Sequence, residues 1–149
     1  MPTATQSAGE PPRRWWWATL VVGVSYLAVG LVFGALGRGG SSDQIRAAWR
    51  LLAWLISLLT FAVHIRYEHF RLRTSPVLTA LHTALAVGLG AFGIAVAANI
   101  HSSGSGSSRQ SSLLHLALVA FPVATALPAF VVAFVAALVL SRWRRDVAR

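Results

Sequence analysis

WWWATLVVGVSYLAVGLVFGAL, residues 15–36, runs for 22 residues without a formal charge. At about 1.5 Å per residue, a helix of that length covers the roughly 30 Å hydrocarbon core of a bilayer. Arg13 and Arg14 before it and Ala35-Leu36-Gly37 after it have the layout of a signal peptide with a small-residue cleavage site. The apolar run is too long for a cleaved signal, so it reads as an uncleaved signal anchor. Three further apolar runs follow, at about 47–66, 77–99 and 112–141. None alternates in polarity as barrel strands do, and an isolated strand would leave its backbone unpaired in lipid. The expected fold is an all-α integral membrane protein: a compact bundle of four transmembrane helices spanning 15–141, with no soluble domain.

Composition agrees. Of 149 residues 56% are hydrophobic and 11% charged, with a mean hydropathy of +0.63. A soluble domain of this size has no interior large enough for so much apolar surface. All 13 basic residues are arginine, and together with many alanines and glycines this points to a GC-rich bacterial genome. The net charge of +9 flanks the apolar runs instead of forming a basic domain, so anchoring to anionic lipid explains it and nucleic acid is not implied. The absence of cysteine excludes disulfides, thiolate metal sites and cysteine nucleophiles.

Arginine distribution gives the orientation. The N-terminal tail, the loop after the second span and the C-terminal tail hold nine arginines (13, 14, 66, 71, 73, 142, 144, 145 and 149). The other side holds four, Arg38, Arg46, Arg50 and Arg109. By the positive-inside rule both termini are cytoplasmic, in a bacterial inner membrane. Residues 1–14 read as a disordered basic tail and 142–149 as a second basic tail. GRGGSSDQ (37–44) is a short turn, and HSSGSGSSRQSS (101–112) a flexible low-complexity loop.

Small residues mark helix packing. Gly23, Gly30, Gly34 and Gly37 form a stripe on the first helix, and Ala80, Ala84 and Gly88 a ladder on the third. These ladders serve either packing within the chain or a seam between copies. Pro122 and Pro128 lie inside the fourth span and are hinge candidates, with Thr125 placed to satisfy a freed carbonyl.

No nucleophile elbow, zinc helix or phosphate loop is present, and no carboxylate lies at the middle of a span, which argues against an antiporter working through a buried acid. Polar chemistry gathers instead in FAVHIRYEHFRLR (61–73). His64 and Glu68 are i,i+4 neighbours, and a hairpin closing near residues 73–75 brings His82 to their level. His64, Glu68 and His82 are therefore the candidate inner cluster: a proton relay, a gate, or a 2-His-1-carboxylate metal site. The plainer reading is a helix end in which Arg71 neutralises Glu68. His69, about 140° from His64 around the helix, is expected outside the site. His101 and His115 bracket the outer loop as weak metal candidates, and haem ligation by His82 or His101 is conceivable; no cofactor is strongly implied.

The function expected from these features is a permease- or channel-like homo-oligomer moving a small solute or ion, with Ser57, Thr60, Thr83, Asn99 and Thr125 as polar points along its helices. The alternatives are a non-catalytic accessory or assembly subunit docking on a larger membrane partner, and a histidine-based metal or haem protein. Beyond that last reading, no motif points to an enzyme. Anionic lipid at the inner face is the remaining expected partner.

Overall fold

Two short punctuations set where helices begin. Ser42 has extended backbone angles (φ −137°, ψ 160°), and its hydroxyl accepts the Ile45 amide at 3.3 Å. Asp43 then sits in the first turn, favourable to the helix dipole, and pairs with Arg46 at 2.8 Å on the surface. Pro76 opens the next helix, where its missing N–H has no intrahelical partner to lose, and the Ser75 carbonyl accepts the Thr79 amide at 2.9 Å.

The computed structural model describes residues 13–72, 74–102 and 108–147. They form α1 (Arg13–Arg38), α2 (Asp43–Phe70), α3 (Pro76–Ser102) and α4 (Ser108–Val147), with no strand among the described residues. All four helices are long and apolar enough to cross a membrane. They outrun the expected spans. Arg13 and Arg14, read as tail, begin α1; the basic segment from residue 142 continues α4 to Val147; and the connection after α1 shrinks to residues 39–42. The disorder expected of residues 1–12 and the flexibility expected of the loop concern residues largely outside those described, including 103–107.

Close backbone approach holds α1 to α3. A Cβ added to Gly23 would meet the Ala86 carbonyl and Leu89 Cβ at 3.2 Å, one on Gly90 would stand 2.5 Å from Tyr26 Cβ, and one on Gly93 2.8 Å from Leu27. Gly30 faces Ile94 in the same parallel register. On its other side α3 meets α4 antiparallel: Ala80 packs in a core with Ile65 and Ala133, and Gly88 faces Ala126 at 3.6 Å. Asn99 Nδ2 donates to the Leu114 carbonyl at 2.9 Å. Thus α3 is the centre, with α1 and α4 on opposite sides and not touching each other.

α2 is the least secured helix, packing mainly on α1 and only sparsely on α3 and α4. At the end away from the termini, Phe33 and Trp49 ring centroids lie 6.0 Å apart. At the other end Ile65 reaches the α3–α4 core. The buried residues of α2 are His64, Ile65, Glu68 and His69, all within its last two turns.

The small-residue ladders therefore serve mostly within the chain. Gly23, Gly30 and Gly88 lie in helix contacts and Ala84 is buried, whereas Gly34 has only Arg38 of its own helix within 4 Å and Gly37 has nothing. α4 runs continuously through Pro122 and Pro128. Thr125 Oγ1 donates to the Phe121 and Pro122 carbonyls, both at 3.0 Å. Those are ordinary bonds back along the helix, not rescue of the residue 118 and 124 carbonyls that the prolines leave without an N–H.

Gly90→Val should destabilise the protein by about 1–3 kcal/mol through overpacking against Tyr26, whereas Gly37→Ala should be neutral or slightly stabilising. Thermal unfolding in a mild detergent reads both, and equal effects would refute the α1–α3 contact.

Candidate functional site

The last two turns of α2, the turn after it and the first two turns of α3 enclose one polar cluster. Glu68 is its centre and is 0% exposed, although it lies near the end of α2. It is buried because α2 meets α3 and α4 at this end, with Ile65, Phe130, Phe134 and Ala133 forming the apolar wall. Its partner is not Arg71, which is exposed. His82 Nδ1 lies 3.1 Å from Glu68 Oε2 in the one buried ion-pair contact among the described residues. With Glu68 ionised, Nδ1–H donates to the carboxylate.

Threonines complete one side. Thr74 Oγ1 lies 3.2 Å from both the Glu68 carbonyl and Oε2, and 2.8 Å from Thr79 Oγ1. With its single proton directed at Glu68, Thr74 accepts from Thr79, so a short hydroxyl chain ends on the carboxylate. Thr83 Oγ1 turns away and donates to the Thr79 carbonyl at 2.7 Å. Thr74 and Thr79 were not legible as site residues. The signal was the i,i+3 spacing of Thr79 and His82 just inside a proline-started helix.

The other side has unused hydrogen-bonding capacity. Glu68 Oε1, His64 Nε2 and Thr19 Oγ1 are buried and have no hydrogen-bond partner among the described residues. Register brings the third to the others. Gly23 stands beside Ala86 and Leu89, so Thr19, one turn earlier, is level with residues 82–85 of α3. Tyr26 Oη reaches the Ser57 carbonyl at 3.5 Å, and Thr19, seven residues back, is level with His64 on antiparallel α2. His64 also lies within electrostatic reach of both Glu68 and His82. Three helices thus carry buried polar atoms without a partner among the described residues at one level of the bundle, and such atoms are rare in folded interiors.

His64 also borders a cleft of about 1030 Å³ between the facing ends of α1 and α2. Walls of Trp17, Val21, Val22, Leu59 and Val63 are apolar, and Arg71 lies at the end nearest the turn.

The candidate cluster His64, Glu68 and His82 is brought together, with two corrections. Glu68 is a buried acid, contrary to the inference that a buried carboxylate is lacking. His69 is only 4% exposed and stands edge-on to Phe70 at 5.1 Å. The 140° separation from His64 is real, but the buried stripe is equally wide because α2 is enclosed from two sides here. Among the described residues no group of three or more His, Asp or Glu is disposed to hold a metal. His101 and His115 are exposed, and His101 Nδ1 is engaged at 2.8 Å by the Ala97 carbonyl. The polar points along the helices are largely occupied as well: Thr60, Thr83 and Thr125 bond to carbonyls of their own helices, and Asn99 clamps α4.

No family model matches the chain, and neither the curated proteins nor the solved structures contain a significant match to it.

Removing His82 leaves the buried carboxylate with Thr74 alone. His82→Ala should cost about 3–5 kcal/mol at neutral pH, and Glu68→Gln, which keeps a hydrogen-bonding side chain, distinctly less. His69→Ala should cost about 2 kcal/mol or more as a buried truncation. Denaturation in detergent micelles measures each, and a harmless His82→Ala would mean the pair is not formed.

Proposed function

We propose that this is a small bacterial multi-pass membrane protein that moves a small solute or ion, with protons handled at the Glu68–His82–His64 layer. The observation that carries this reading is the complete enclosure of Glu68. Its Oε2 is paired to His82, and its Oε1 is buried with no hydrogen-bond partner among the described residues. A carboxylate and imidazoles in one dry layer are the groups through which membrane proteins take up and release protons. Protonating Glu68 removes the charge that holds the His82 N–H. That contact is the main polar tie between α2 and α3, so proton binding and the position of this end of α2 are coupled. The Phe33–Trp49 contact at the far end is the pivot.

Working as a homo-oligomer follows from how little one chain encloses. Beyond the polar layer, close Ala and Gly contacts join α3 to α1 and to α4. Gly34 and Gly37 have no neighbouring helix within 4 Å, and Leu51, Trp54, Leu55 and Leu58 of α2 are exposed, surfaces that suit contact with a second copy. The same faces suit docking on a different subunit, the accessory reading. Native mass in mild detergent separates them: a defined oligomer is expected, and a lone monomer that co-purifies with another protein would favour the accessory role.

Both termini lie in the cytoplasm of a bacterial inner membrane, a reading supported by the arginine asymmetry. A phosphatase–galactosidase dual reporter fused after Arg149 should show cytoplasmic activity, and periplasmic activity would reverse the orientation.

Function is tested in proteoliposomes containing a trapped pH dye, with a potassium–valinomycin potential as driving force. The protein should accelerate proton entry, and Glu68→Gln and His82→Ala should each lower the rate at least tenfold. His115→Ala, exposed at the opposite end, should leave it unchanged. Full flux through the Glu68→Gln protein would sink the proposal.

A further inference from the structure

The cleft between α1 and α2 has a chemistry of its own. At about 1030 Å³ it stands at the upper limit of the roughly 300–1,000 Å³ typical of small-molecule sites. Trp17 and Val21 on one wall and Leu59 and Val63 on the other are between 58% and 65% exposed, so the cleft opens sideways into the medium around the helices. For helices of this length and apolarity, that medium is the acyl region of a bilayer.

Four polar side chains interrupt the apolar lining, Thr60, His64, Tyr67 and Arg71. Thr60 donates to the Ile56 carbonyl of its own helix, and the placement of the charge selects the occupant. Arg71 is the lining's formal charge, at the end near the helix terminus where a headgroup lies. His64 stands two turns deeper on the same side of α2, about 10 Å along the axis. It is 98% enclosed, and its Nε2 has no partner among the described residues. Glu68 does not border the cleft, so the lining holds no carboxylate to attract a cation. A purely apolar occupant would leave Arg71 without a counter-charge in the cleft.

We propose that the cleft is a binding site for an anionic lipid drawn from the surrounding bilayer. The phosphate pairs with Arg71 and one acyl chain lies between Val21 and Val63. This differs from general attraction of anionic lipid to basic helix ends, because it requires a chain inside the protein. It holds whether or not the chain carries protons.

The test uses the full-length protein in mild detergent, titrated with palmitoyl-oleoyl phosphatidylglycerol, with phosphatidylcholine of the same chains, and with glycerol 3-phosphate. Native mass spectrometry counts bound lipid, and tryptophan emission reports occupancy beside Trp17. One phosphatidylglycerol per chain is expected, at least tenfold tighter than phosphatidylcholine, with glycerol 3-phosphate failing to bind. Arg71→Gln should weaken the lipid at least fivefold, and Val63→Trp, which fills the cleft from an exposed position, should remove it. Arg142→Gln, an exposed arginine on α4, should have no effect. Equal binding of the two lipids, full binding by Val63→Trp, or equal loss in Arg142→Gln would each overturn the proposal. Val21→Trp blocks the cleft from the facing wall and decides the matter if Val63→Trp does not fold.

Discussion

A carboxylate taken wholly out of water constrains everything around it. Burying an isolated ionised acid in a low-dielectric interior costs far more than any single apolar contact returns. Glu68 is tolerable only because His82 Nδ1, the Thr74 hydroxyl and the turn between α2 and α3 are built around it. That requirement sets the local design. Pro76 and Ser75 start α3 where His82 falls opposite Glu68, and the Thr74 amide and hydroxyl both address the Glu68 carbonyl, at 3.4 and 3.2 Å. The turn is held by the same residue whose charge it stabilises.

The rest of the fold supplies the rigid surroundings. Close fit joins α3 to its neighbours, as helices long and apolar enough to cross a membrane require: Gly23, Gly90 and Gly93 let α1 approach its backbone, and Ala80, Gly88 and Asn99 secure α4. Against this fixed three-helix body α2 has a different status. It is pinned at one end by the aromatic contact with α1 and at the other by Ile65 and the Glu68–His82 pair. The cleft exists because α2 crosses from α1 toward α3 and α4, leaving α1 behind at the end that holds His64. Polar layer and cleft are thus consequences of one helix crossing, and His64 belongs to both.

The sequence by itself determined the class of object. Four apolar runs of membrane length have one stable backbone solution in lipid, so helices could be read from hydropathy alone, and helical spacing with a short hairpin placed His82 opposite Glu68. It also showed that glycine and alanine ladders would make contacts. It did not show which, because a ladder has the same spacing whether it meets its own chain or another; only the packed helices assign Gly23 and Gly30 to α3 and leave Gly34 and Gly37 open. The enclosure of Glu68 and His69 was likewise hidden. Position near the end of an apolar run says where a residue lies along the helix axis, but burial depends on what stands beside it, and α3 and α4 close over this end of α2 from a distance in sequence. Thr19 joined the layer for the same reason: its depth follows from the parallel register of α1 and α3, which is set by backbone fit between distant glycines and leaves no local signal.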